Sequence, residues 1–143
     1  MKTIEIYTGT DVRGTHVKAG KICYALWTLT RRGEARIGKT EEAEGNENLM
    51  ELLALEKALE RVREPCEIHV FTRSSYVSAG WDAGWLRKWE ETGWKTSKGK
   101  DVQYADTWKR IEHLAEGSKM HFHVKEPGRL GDWIDESLKE RKK

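Results

Sequence analysis

The period of the apolar positions changes several times along the chain. Residues 2 to 8 alternate, with Ile4 and Ile6 on one face, as a half-buried strand requires. The glycine-punctuated run GTDVRGTHVKAG separates this strand from a second around Ile22 to Thr30, and RRGEA reads as a hairpin turn into a third near Ala35 to Thr40. In NENLMELLALEKALERV the spacing becomes helical: Leu52, Leu55, Leu59 and Val62 recur on one face, Asn48 is the expected N-cap and Pro65 the stop. Ile68, Val70 and Phe71 mark a fourth strand, followed by a helical stretch from Ser74 to about Glu91. The loop TGWKTSKGKD leads to a helix ending near Glu116 with Trp108, Ile111 and Ala115 on one face. KMHFHVK then gives a fifth strand, and a last helix starts at Asp132.

The order βββαβααβα puts strands 1, 4 and 5 within reach of parallel pairing through right-handed helical crossovers. The expected fold class is therefore α/β: a mixed five-stranded sheet, three antiparallel strands and then parallel ones, with helices on both faces. No internal repeat, low-complexity linker or composition break divides the chain, so residues 1–143 are expected to form a single domain large enough for a substantial core.

Composition narrows the class. A hydrophobic fraction of 37% with seven tryptophans argues for a folded chain, while 35% charged residues imply a heavily ionised surface. The formal net charge of +2 is too small to announce a nucleic-acid binder by itself. No run approaches the eighteen or so apolar residues that cross a bilayer, and MKTIEIYTG enters a strand pattern without a signal-peptide core, so a cytoplasmic location and no membrane partner are expected. Cys23 and Cys66 match no metal-ligand or redox spacing and read as buried thiols.

The most informative segments are polar. The strand ending at Thr72 runs into Arg73 and Ser74, and strand ends that feed helices are where α/β proteins usually place their chemistry. EIYTGT, NLMELLALEKALE, TRSSYV and, above all, WLRKWEETGWKTSKGKDVQYADTWKRI together resemble the bacterial type of the ribonuclease H family, the last segment being similar to its tryptophan-bearing basic protrusion. The resemblance implies an RNase H-like fold. It also implies cleavage of the RNA strand of RNA·DNA hybrids by four carboxylates around two Mg²⁺ ions, assisted by a histidine on a flexible loop.

Carried over residue by residue, the resemblance places Glu51 at the helical carboxylate and Asp132 at the carboxylate opening the last helix. Gly9 and Arg73 stand where the other two acids are expected, and the loop VKEPGRLGD is short and lacks a histidine. A guanidinium about 5 Å from a divalent ion costs on the order of 6 kcal/mol at an effective dielectric near 20. That is roughly four decades of affinity. Arginine's planar fork suits carboxylates, so Arg73 is expected to pair with Glu51, Asp132 or both in place of a metal. Asp132 also fits a helix cap with Asp135 three residues on, and Glu51 a first-turn acid favoured by the helix dipole. Asp11 lies two residues from Gly9, about 6.6 Å along an extended chain, too far for a simple substitution.

Trp81, Trp85, Trp89 and Trp94 recur at near-helical spacing, a pattern that ordinarily marks core. The resemblance implies that some of them pack the protrusion while Arg87, Lys88, Lys95, Lys98 and Lys100 face phosphates, a solvated loop being the alternative. From Trp85 to Lys100 the net charge is +3, a modest groove whose binding would be salt-sensitive. By the resemblance, Asn48 and Thr10 approach the nucleic acid, along with Trp85 and Trp94, while Glu47 would repel a nearby phosphate. His69, His121 and His123 lie on strands expected to be neighbours. With no acidic or cysteine partner evident they read as structural, and no metal or other cofactor is expected.

The expectation that follows is an RNase H-like protein that binds an RNA·DNA hybrid or duplex without metal-dependent cleavage. An alternative is an active nuclease using Mg²⁺ or Mn²⁺ at a rearranged site built from Asp11, Glu51, Asp132 and Asp135. A further alternative is a protein-interaction module on the same scaffold, with its protein partner unknown.

Overall fold

The computed structural model describes residues 1–139. Its strands are β1 (Thr3–Thr10), β2 (Lys18–Thr30), β3 (Gly33–Gly45), β4 (Glu67–Thr72) and β5 (Lys119–Val124). They form one sheet in the order β3-β2-β1-β4-β5, with β1–β2 and β2–β3 antiparallel and β1–β4 and β4–β5 parallel. This is the expected mixed sheet. The hairpin of β2 and β3 is longer than its apolar pattern indicates, because the ladder continues from Leu26↔Ile37 out to Lys18↔Gly45 at one end and Thr30↔Gly33 at the other. β3 is an outer strand exposed along nearly its whole length, and a solvated ladder leaves no apolar signal to read.

α1 (Glu47–Leu59) buries Met50, Leu52, Ala54, Leu55, Ala58 and Leu59 against the sheet. Its N-cap is Asn46, whose Oδ1 accepts from the Leu49 amide at 2.9 Å, and not Asn48, which lies within the first turn. The expected long helix from Ser74 is two: α2 (Ser75–Asp82) and α3 (Trp85–Glu91), broken at Gly84, whose φ of 75° is left-handed. Apolar periodicity carries across that break, which only the glycine marks. α4 (Ala105–Leu114) and α5 (Gly131–Lys139) complete the described chain.

Two cores result. The larger joins Ile4, Ile6, Ile68 and Val70 to α1 and to Trp108 and Ile111 of α4. On the opposite face α5 packs over β1 and β2, and Tyr7, Cys23, Ala25, Leu130 and Ile134 form a smaller cluster. Each fully buried large apolar side chain contributes about 1.5–3 kcal/mol, so the α1 face dominates stability. α5 leaves the outer part of its face, over β4 and β5, uncovered by any helix among the described residues. Cys23 and Cys66 are buried free thiols, and no described helix is long and apolar enough to cross a membrane.

Candidate functional site

Strand alternation decides where the polar residues at the sheet's end point. Ile6 faces α1 and Tyr7 faces α5, so Thr8 follows Ile6 and Gly9 follows Tyr7. On the α1 face, Glu51 is 3% exposed, and its Oε1 accepts from Thr8 Oγ1 at 2.9 Å and Thr72 Oγ1 at 3.1 Å. Burial pushes its carboxyl above the usual range, against the pull of the two threonine hydrogen bonds and the charge of Arg13. Thr72 Oγ1 also accepts from the Ser74 amide at 3.0 Å, and Ser74 Oγ caps α2 by accepting from Val77 N at 3.2 Å. The turn after β4 is thus built from hydroxyls tied to the buried acid.

On the α5 face the position held by Gly9 is closed. A Cβ there would lie 2.6 Å from Ile134 Cγ2 and 3.2 Å from Leu138 Cδ1. Arg73 is ion-paired through Nη2 with Asp135 Oδ1, both side chains being half-exposed. This corrects the expected pairing: neither Glu51 nor Asp132 is the partner of Arg73. The reason is geometric, since Glu51 is enclosed on the other face, whereas Asp135 lies one position past Ile134, on the helix that covers Gly9. Asp132 is solvent-exposed in the first turn of α5.

Two other expectations change. Asp11 is committed to β2, its Oδ1 accepting from the Lys21 amide at 2.8 Å. Thr10 does not present its hydroxyl outward: it is 1% exposed, donates to the Lys21 carbonyl at 2.7 Å and accepts from Val12 N at 3.1 Å. Asn48 is half-buried, and Glu47, beside it, accepts from the Gly14 amide at 3.0 Å. The short loop before α5 is strapped down by Arg129, which donates from Nε and Nη2 to Glu5 at 2.9 and 3.0 Å and lies 3.5 Å from the Trp27 ring centroid. Burial opposes ionisation of Glu5, but the hydrogen bonds from Arg129 and Tyr7 and the Arg129 charge hold its carboxyl below the usual range.

The acids present do not fit a pair of divalent ions. Such a site needs several carboxylates converging on ions about 4 Å apart. Here Glu51 is sealed and hydrogen-bonded, Asp135 is paired with a guanidinium, Asp11 holds a backbone amide, Asp132 is exposed to solvent in the first turn of α5, and the space beside Gly9 is filled by Ile134.

The protrusion differs in character. Trp85, Trp89, Trp94, Trp108 and Tyr76 pack in a chain with ring centroids 5.7–5.9 Å apart, which assigns Trp85 and Trp94 chiefly to packing. Trp108 is fully buried, and Gly80 admits it: a Cβ at residue 80 would lie 2.6 Å from its Cη2. Trp81 packs against Phe122 instead. Arg87, Lys88, Lys98 and Lys100 are exposed, while Lys95 is ion-paired with Asp101.

The histidines do have an acidic neighbour, contrary to expectation. Glu67 shares a face of β4 with His69, and its Oε1 lies 3.2 Å from Nε2 of His121 on β5. The alternation of Glu67 and His69 was available in the sequence; the pairing of β4 with β5 in register was needed to complete it.

A five-stranded mixed sheet with α1 across one face and an acid of that helix at the strand ends defines an RNase H-like α/β protein. The family model described as RNase H matches residues 1–126. Ribonuclease H of Chlorobaculum parvum (strain DSM 263 / NCIMB 8327) is 34% identical over 122 residues, covering 85% of this chain and 81% of the relative, and that of Brucella ovis (strain ATCC 25840 / 63/290 / NCTC 10512) is 35% identical over 123 residues, covering 86% and 77%. The chain belongs to the ribonuclease H family. Among solved structures, LC9-RNase H1, a type 1 RNase H with the type 2 active-site motif, superposes with a TM-score of 0.74 at 15% identity, covering 95% of this chain and 70% of that one. A foamy viral protease-reverse transcriptase in complex with RNA/DNA hybrid superposes with a TM-score of 0.63 at 14% identity, covering 94% of this chain and 19% of that one. The names of the relatives point toward a nuclease, the alternative drawn from the sequence, and nothing in the comparisons indicates an inactive protein.

Proposed function

We propose that this chain acts as one domain that binds an RNA·DNA hybrid or duplex, through the basic protrusion and the adjoining strand ends, without metal-dependent cleavage. One observation carries the reading: Ile134 and Leu138 occupy the space beside Gly9 while Arg73, paired with Asp135, stands at the end of β4. The positions of Gly9 and Arg73 at the two central strand ends thus contribute no carboxylate, and Asp11, just past β1, is turned to the Lys21 amide. The guanidinium engages the Asp135 carboxylate that a divalent ion would otherwise need, and its charge opposes an ion at that strand end. The foamy viral protease-reverse transcriptase, 19% of which this chain matches, is in complex with RNA/DNA hybrid, which supports a hybrid as the ligand to test.

Family membership favours a second reading, an active ribonuclease H with a rearranged site that uses Mg²⁺ or Mn²⁺. A labelled hybrid incubated with the protein and increasing Mg²⁺ or Mn²⁺ separates the two. The expected result is binding without cleavage, and cleavage that disappears in Glu51→Gln would establish the second reading instead. Affinity should fall with salt, and neutralising Arg87, Lys88, Lys98 and Lys100 should reduce the slope of log affinity against log salt by about one for each phosphate contact removed. Absence of hybrid binding at low salt would favour a protein-interaction module.

A further inference from the structure

On the part of the sheet that α5 leaves uncovered, rings from two strands form a continuous stack. Phe71 and His123 lie 4.6 Å apart between centroids, His123 and His69 5.1 Å, and His69 and His121 4.7 Å. At the end of the row Glu67 Oε1 is 3.2 Å from His121 Nε2 and 3.8 Å from His69 Nε2, and one ligand atom from each of the three residues lies within 4.8 Å of the others. Parallel pairing produces this: His69 and His121 are direct register partners, and Glu67 is two residues before His69 on the same face.

The hydrogen bonds fix which nitrogens are available. His123 Nδ1 is 3.4 Å from Glu126 Oε2, and His123 Nε2 is 2.8 Å from His69 Nδ1. A proton on Nδ1 of each ring satisfies both contacts, His123 donating to Glu126 and His69 donating to His123. That assignment leaves Nε2 of His69 unprotonated, 3.8 Å from Glu67 Oε1 and beside the His121 ring. An acceptor behind a ligating histidine orients the ring and raises its basicity, and here His123, itself held by Glu126, supplies it.

We propose that Glu67, His69 and His121 form a binding site for a divalent transition-metal ion of the zinc type, with its fourth position open to water. Two imidazoles and one carboxylate suit Zn²⁺, whereas Mg²⁺ and Ca²⁺ take oxygen donors. Tetrahedral coordination at about 2.0–2.2 Å puts ligand atoms roughly 3.3 Å apart, so the 3.2 Å contact already fits, while the 3.8 Å contact and the His69–His121 pair, whose rings stack 4.7 Å apart, close as the two imidazoles rotate out of the stack to converge on the ion. His123 and Glu126 position His69 and are not themselves ligands. The site lies on the face of the sheet opposite Glu51 and joins β4 to the outer strand β5, so it is independent of hybrid binding.

The test is a titration of the full chain, freed of metal by chelator, with zinc chloride. It is followed by calorimetry and by the nitrogen-15 shifts of the histidine side chains. Saturation at one equivalent, with the Nε2 resonances of His69 and His121 moving together, is expected. His121→Gln and Glu67→Gln should abolish the one-equivalent transition while leaving the metal-free circular dichroism unchanged. His123→Phe, which keeps the stack and removes the acceptor for His69, should weaken binding about 10–100-fold. A Kd weaker than about 1 mM, shifts confined to His16 and His113, or unchanged binding in both ligand variants would overturn the proposal.

Discussion

The strand-end cleft and the basic protrusion use their polar residues in opposite ways. In the cleft nearly every group is spent on another part of the chain: Glu51 on Thr8 and Thr72, Arg73 on Asp135, Asp11 and Thr10 on Lys21 of β2. In the protrusion the aromatic rings turn inward and the cations outward, with Trp108 buried and Arg87, Lys88, Lys98 and Lys100 exposed. Saturated hydrogen bonds stabilise a fold but leave little with which to hold an ion. Exposed charges add little to the fold yet remain available to a polyanion. Stability and binding are therefore assigned to different residues.

The largest effect that would break this contrast is at Trp108. Trp108→Ala removes a fully buried ring and its 3.2 Å hydrogen bond to Tyr76, and should cost about 3–5 kcal/mol in urea unfolding, with loss of hybrid binding because the cations lose their scaffold. A smaller loss should exclude the aromatic cluster as the protrusion's core.

Gly9→Asp places a Cβ against Ile134 and a carboxylate beside Leu138, and should cost about 1–3 kcal/mol in thermal unfolding. A variant as stable as the parent would show that the cleft still has room for the missing acid, and would turn the comparison toward a nuclease.

Glu51 gives the smallest effect and sharpens the comparison through its sign. The folded chain holds this proton above the ordinary value of 4.5, so the group favours the folded state at low pH, and that advantage is lost as pH rises from about 4.5 through the raised folded value. Glutamine keeps an oxygen for the threonine hydroxyls and has nothing to ionise. Glu51→Gln should therefore melt at or above the parent temperature at pH 8, with the difference between the two shrinking as pH falls toward 4. A variant less stable than the parent at pH 8 would mean that the carboxylate is stabilised by a partner other than these hydroxyls.

The sheet order was readable because Ile4, Ile6, Ile68 and Val70 alternate and α1 repeats its leucines, signals that come from burial itself. Gly9 and Arg73 were equally visible as departures from a family pattern. What they contact was not. The partner of Arg73 depends on how α5 rotates as it packs on β1, and that rotation sets Ile134 over Gly9 and brings Asp135 to the guanidinium instead of Asp132. Thr10 was misplaced for a related reason, since a strand-end threonine reads the same whether its hydroxyl meets solvent or the neighbouring strand's carbonyl. Glu67 escaped notice because its significance lies in the lateral alignment of two parallel strands more than fifty residues apart in sequence.

The outermost strand, β3, has a consequence of its own. It offers a long row of backbone donors and acceptors on its free side, a template on which another extended chain could polymerise. Glu34, Arg36, Lys39, Glu41, Glu42 and Glu44 are spaced along it, and its carboxylates cluster at the end nearer Gly45. A second copy docking there in parallel register would bring acid against acid. Growth of fibrils by sheet extension is thereby discouraged without a single extra residue of covering structure.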